Sequence, residues 1–136
     1  MSNFLKITIV LLALAVVIGC GKPKVKGKVY FSDDKSPVTQ GTVLFHRDNE
    51  ISRGIIQKDG TFVVGTLSAR DGLAPGNYRI SIKNTQIDIS GGSIMPVFQN
   101  VIDRKYEDPG TSELTLEVKK SQTFDIPVDR FQDTRH

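Results

Sequence analysis

Segment 59–82, DGTFVVGTLSARDGLAPGNYRISI, leaves little room for anything but β structure. Asp59 and Gly60 signal a tight turn, because Gly takes positive φ without steric cost, and Thr61, Phe62, Val63 and Val64 after it are β-branched or aromatic. Pro75 and Gly76 signal a second turn. Tyr78, Ile80 and Ile82 then alternate with Arg79, Ser81 and Lys83, the period of a strand with one buried and one wet face. The flanking chain repeats this grammar. Val25, Gly27, Val29 and Phe31 alternate with Lys26, Lys28 and Tyr30, and Val43 and Phe45 share one face of segment 41–46. Segments 54–57 and 61–64 are expected to form a hairpin through Lys58, Asp59 and Gly60. Segments 113–118 and 123–128 are expected to form a closing hairpin, with Pro127 confining the last strand to an edge or an end. About seven short strands and no amphipathic helix after residue 20 predict an all-β, seven-stranded antiparallel β-sandwich, since a lone sheet would leave its apolar face in water.

The first 20 residues read differently. Lys6 precedes an apolar run over 7–18, shorter than the ~20 residues a spanning helix needs, and Gly19 and Cys20 end it. This is the pattern of an export signal helix. Val17, Ile18, Gly19 and Cys20 resemble the lipobox of bacterial lipoproteins, which implies cleavage between Gly19 and Cys20 and a lipid thioether on Cys20, usually with a further acyl chain such as palmitate on its amine. The chain has one cysteine, so Cys20 has no intrachain disulfide partner. The expected organisation is a signal peptide over 1–19, an acylated tether over 20–24, one domain over 25–130 and a tail over 131–136. The expected place is the cell envelope, anchored in a membrane on the outer-membrane or periplasmic side. A formal charge of only +3 together with export argues against nucleic acid as a partner. Lys22, Lys24, Lys26 and Lys28 have the spacing of a strand's solvent face, as on a protected edge strand; the alternative is contact with anionic lipid.

Chemistry-bearing residues are sparse. His46 and His136 are the two histidines, which with an acylated Cys20 leaves no zinc ligand set, and no cofactor or metal is expected. Asp33 with Asp34, and Glu107 with Asp108, sit in turns, where solvated acids are common; a weak calcium site on Asp71 and Asp108 is the less favoured reading. There is no Gly-x-Ser-x-Gly elbow, phosphate-binding Gly loop or EF-hand spacing. Segment 84–104 is the irregular one, holding Gly91, Gly92 and Pro96 among many apolar residues. It is expected to cover an open end of the sandwich as extra core, with 86–89 prolonging the preceding strand; the alternative is a partner-binding surface.

Val25-x-Gly27-x-Val29, Gly41-x-Val43-x-Phe45, Asp59-Gly60-x-Phe62, Asp71-Gly72-x-x-Pro75-Gly76-x-Tyr78 and the run Lys105-Tyr106-x-Asp108-Pro109-x-Thr111-Ser112-x-Leu114-Thr115 together resemble small lipoproteins of planctomycete-type bacteria. Those carry a domain similar to transthyretin and to the regulatory-like domain of carboxypeptidases. The resemblance implies a prealbumin-like sandwich and says little about activity. Transthyretin-related hydroxyisourate hydrolases end in Tyr-Arg-Gly-Ser, which this chain lacks. Intradiol dioxygenases hold iron with two Tyr and two His, and Tyr30, Tyr78, Tyr106, His46 and His136 lack a recognisable spacing for that. Tyr78 is expected to pack or bond across the sandwich and Tyr106 to be the more exposed. The expected function is non-enzymatic: binding or scaffolding of an envelope protein or glycan through loops 70–75 and 84–108, with Asp71, Leu73, Ile94, Met95, Phe98 and Tyr106 as contact residues. The alternative is a small envelope hydrolase or metal-dependent enzyme using His46 and nearby acids.

Overall fold

The computed structural model describes residues 22–66 and 71–132. Gly19 and Cys20 lie outside them, and no helix among the described residues is long and apolar enough to cross a membrane. The described chain is all-β apart from one 3-10 turn, Arg104–Glu107. Its strands are β1 (Val25–Phe31), β2 (Thr42–Arg47), β3 (Glu50–Ile55), β4 (Thr61–Val63), β5 (Gly76–Lys83), β6 (Ile87–Asp88), β7 (Phe98–Gln99), β8 (Thr115–Val118), β9 (Gln122–Thr123) and β10 (Ile126–Val128).

Two four-stranded sheets share one core. In the first, β1 is central, antiparallel to β4 on one side and parallel to β9 and β10 on the other. The second has the antiparallel order β3-β2-β5-β8. The alternation read from the sequence puts Val25, Val29 and Phe31 of β1 into the core opposite Val43, Phe45, Ile80 and Ile82 of the second sheet. Phe45 bridges the layers, 6.4 Å from the Phe62 ring and edge-on to Tyr78 at 6.1 Å. Such aromatic contacts add to burial because ring edges and faces carry opposite partial charge.

The pairings differ from the sequence expectation in ways that share a cause. The described residues form ten short strands rather than seven, and the sheets are not wholly antiparallel, because β9 and β10 run parallel to β1. The turn at Lys58, Asp59 and Gly60 forms, with Asp59 Oδ1 accepting from Thr61 N at 3.0 Å and Gly60 at φ 86. The strands on either side nevertheless part: β3 pairs with β2 across the two-residue turn Asp48 and Asn49, and β4 pairs with β1 in the other sheet. Of the expected hairpin, the bond from Gln57 N to Thr61 O at 2.8 Å closes the turn, and an isolated bridge joins Arg53 to Gly65. The expected closing hairpin divides likewise, β8 to β5 and β10 to β1. Adjacency in sequence sets which turns form, while burial of apolar faces on both layers sets which sheet each strand joins. The Lys-bearing strand β1 is therefore central, not an edge, and Pro127, which has no N–H to donate, lies on edge strand β10.

Among the described glycines, Gly27 has backbone closest to it. A Cβ there would overlap the Phe124 carbonyl, where the chain kinks between β9 and β10 and Asp125 Oδ1 accepts from Lys28 N at 3.1 Å. Glycine at this position lets two segments flank the same strand on one side.

Candidate binding surface

Residues 86–100 leave the body of the fold as a separate two-stranded unit. Asn84 takes a left-handed conformation, φ 61, directly after β5, so the chain turns away from the sheet instead of prolonging it. Thr85 is buried at the root, and Gln40 Nε2 donates to the Gln86 carbonyl. Beyond this root β6 and β7 pair only with each other, Ile87 opposite Gln99 and Asp88 opposite Phe98, and Ile89 N donates to Val97 O at 2.8 Å. Gly91 and Gly92, both at positive φ, carry the chain around the tip with open space about them. Asp88 Oδ1 accepts from Ser90 N at 2.8 Å and Val97 N at 3.3 Å, and the Ser90 bonds hold its carboxyl below the ordinary range.

Directly opposed residues share a face, so Ile87, Ile89 and Val97 line one face of this hairpin and Phe98 the other. Ile94 and Met95 crown the tip, fully exposed and 78% exposed, and Phe98 is 60% exposed. The expected extra core is thus confined to Ile102, with Val101 packed partly against it, and to Thr85 at the root; residues 86–89 and 91–99 stand in solvent. The sequence shows the apolar residues around Gly91 and Gly92, but apolar residues on both faces suggest core. A single short hairpin has no second layer to cover them.

The other expected contact residues are structural. Leu73 is completely buried, and its amide donates to Pro23 O at 2.8 Å. Asp71 Oδ1 accepts from Thr66 N at 2.6 Å. Tyr78 is buried, and its hydroxyl donates to the Ala74 carbonyl at 2.6 Å, four residues back, as in the tyrosine corners of β-sandwiches, rather than bonding across the layers. Arg47 Nη1 donates to Pro75 O at 2.6 Å. The loop expected to offer a contact surface is instead fastened to its surroundings by these bonds. Tyr106 is also buried, not exposed: its hydroxyl accepts from Asp129 N at 3.0 Å and faces Asp129 Oδ2 at 3.4 Å, and the bend that places it is capped by Asp103 Oδ1 on Lys105 N at 2.9 Å. Leu73 and Tyr106 are corrected accordingly to core residues, because apolar surface this well covered has nothing left to offer a partner.

These anchors also fix the ends of the molecule. The described chain enters at Lys22 and Pro23, beside Leu73 and Ser121, at the end of the fold where β5 begins. The hairpin leaves from the opposite end of β5, about 25 Å away at the usual rise per residue.

His46 Nε2 lies 2.8 Å from the Ser81 hydroxyl on the outer face of the second sheet. Burial, and then Lys83, lowers the His46 pKa below its ordinary value, while Asp108 opposes the shift. Ser81 is fully buried, so its oxygen is not open to a substrate. Among the described residues no acid is hydrogen-bonded to the His46 ring, and no three His, Cys, Asp or Glu side chains gather as a metal site requires. Beside this pair, Lys83, Asn84, Gln86, Arg104, Glu107 and Asp108 line an open cleft of about 480 Å³ whose two cations and two acids balance. No known protein family, curated protein or solved structure matches the chain.

Proposed function

We propose that this chain is a lipid-anchored cell-envelope protein, a prealbumin-like β-sandwich that binds or scaffolds another envelope component without turnover. The observation that carries the proposal is the hairpin β6–β7, which gathers six exposed large apolar side chains at one end of the domain; the other exposed ones, Ile51, Ile55 and Val63, lie on β3 and β4. Keeping such a patch exposed costs solubility and gives the fold nothing, the usual mark of a surface with a partner. The lipobox resemblance at Val17 to Cys20 supports the anchor, and the entry of the chain at the pole remote from the hairpin suits it: a domain tethered there presents the hairpin away from its membrane.

Two variants test the two halves. Cys20→Ala is expected to release the protein from membranes as a folded soluble domain, and unchanged attachment would remove the anchor. Replacing 86–99 by a short Gly/Ser linker is expected to leave the domain folded and abolish in-cell crosslinking to its partner; crosslinks that survive the replacement would place binding elsewhere.

A second reading, a small hydrolase or metal-dependent enzyme, has the contact between His46 and Ser81 in its favour and the full burial of Ser81 against it. Metal content and the activity profile of His46→Ala decide it.

A further inference from the structure

The lysines of β1 guard no edge, since the strand is paired on both sides. Lys26 and Lys28 nevertheless take successive outward positions on it, about 7 Å apart, with Lys22 and Lys24 just before them. Lysine is a poor strand former, and like charges at this spacing repel. The fold adds to the stripe instead of relieving it. Lys24 N donates to the Ser121 hydroxyl at 2.9 Å and Gln122 N to the Lys24 carbonyl at 3.0 Å, so the turn between β8 and β9 sets Lys119 and Lys120 beside Lys24.

Nearby acids are mostly engaged elsewhere. Glu117 pairs with Lys119 at 3.4 Å, Asp71 Oδ1 accepts from Thr66 N, and Asp59 and Asp125 lie at the Lys28 end of the stripe. Among the described residues no ion pair engages Lys22, Lys24, Lys26 or Lys120, all of them exposed.

Two observations select the occupant. The apolar run over 7–18 ends four positions before Lys22, so these cations lie within ~14 Å of chain from the segment best suited to a bilayer. Val63, directly opposite Lys26, is 42% exposed. Cations beside an exposed apolar side chain fit a headgroup layer, which takes both, better than a soluble acidic polymer, which needs the charge alone.

We propose that the lysine face of β1, with the turn at Lys119 and Lys120, lies against anionic phospholipid headgroups and seats the domain on its membrane. The proposal rests on the envelope-anchored reading and deepens it: the lipid on Cys20 holds the chain, and the lysines select the membrane surface and the face of the domain that meets it.

The test is amine labelling of the full-length protein in phosphatidylcholine vesicles, with and without phosphatidylglycerol, read lysine by lysine by peptide mass spectrometry. Lys24, Lys26 and Lys120 are expected to react about fivefold more slowly when phosphatidylglycerol is present, the factor that the attraction of one lysine to an anionic surface supplies. Lys35, beyond the far end of β1, and Lys83, on the other sheet, are expected to be unaffected, and ~0.5 M salt to remove the protection. Equal rates in the two vesicles would overturn the contact, as would protection shared by Lys83. Protection by dextran sulfate that phosphatidylglycerol does not match would overturn it too, and make the occupant an acidic glycan. The Cys20→Ala chain keeps the two readings apart. Carried on phosphatidylglycerol vesicles and not on phosphatidylcholine, it upholds both; carried on both alike, it removes the Cys20 anchor, while the labelling difference still decides the lysine contact.

Discussion

Arg130 lies over Phe31, its guanidinium carbon 3.8 Å from the ring centroid, while Nε bonds Asp33 at 2.8 Å and Nη2 bonds Asp34 at 3.0 Å. One side chain thereby ties the C-terminal arm to the turn that ends β1. Lysine would keep the charge but lose the planar fork and the stacking. Arg130→Lys is expected to lower the thermal midpoint, and part of the loss is expected to persist in ~1 M salt, where exposed ion pairs are screened but ring contact is not. An unchanged midpoint at both salt concentrations would mean that the contact is incidental.

Acid is expected to act in two stages. The hydroxyl and amide of Ser36, with a further pull from Arg130, hold the Asp34 carboxyl at about 2, below its ordinary 3.8. A carboxyl depressed on folding contributes stability that is present above its unfolded pKa and lost as pH falls through the folded one. Asp59 and Asp129 shift the same way. His46 is depressed as well, chiefly by burial, so the unfolded chain takes up its proton first and stability falls as pH drops below 6.5 toward the folded value. Urea unfolding across pH is expected to show the first decline vanish in His46→Gln and the second, from below ~4 toward 2, weaken in Asp34→Asn.

Gly27→Ala is expected to destabilise by about 3 kcal/mol, because the new methyl must displace the Phe124 carbonyl rather than a movable side chain. The accompanying sign is loss of amide protection at Phe124 and Lys28, which bond to the Lys26 carbonyl and to Asp125. Full protection at those amides would show that the kink yields easily.

Tyr78→Phe keeps the ring against Phe45 and removes only the bond to Ala74. The carbonyl then lacks this donor, and a loss of about 1–2 kcal/mol in urea unfolding is expected.

Leu73→Ala and Ile94→Ser separate core from surface. The first opens a cavity at a fully buried site and is expected to cost about 3 kcal/mol. The second changes a side chain wholly in water and is expected to stay within about 0.5 kcal/mol of wild type while weakening association. A destabilised Ile94→Ser would place the tip in the core after all.

Legibility in the sequence follows the range of the interaction concerned. Alternation in 25–31 and 77–83 marks strands and inward faces correctly, because a period of two is a local property. Turns at Asp59, Gly60 and Gly76 are legible for the same reason. Partnership is not: β4 looks bound to segment 54–57 by proximity, yet its register lies with Lys26, Gly27 and Lys28, more than 30 positions upstream. Tyr106 escapes a sequence reading because a four-residue 3-10 turn leaves no periodic trace, and its burial depends on Asp129, far away in the chain. At the hairpin the apolar residues themselves are plain, and what local pattern does not carry is whether a second layer reaches them.

The placement of β1 sets an order of events for the newly made chain. Its neighbours on one side, β9 and β10, come from 122–128, so until that segment is made one long edge of β1 has nothing to pair with. Closing so distant a loop makes assembly slow. The domain is therefore completed only once 122–128 are free to pair, and a product ending at Ser121 would present β1 as an open template for the first strand of any neighbour.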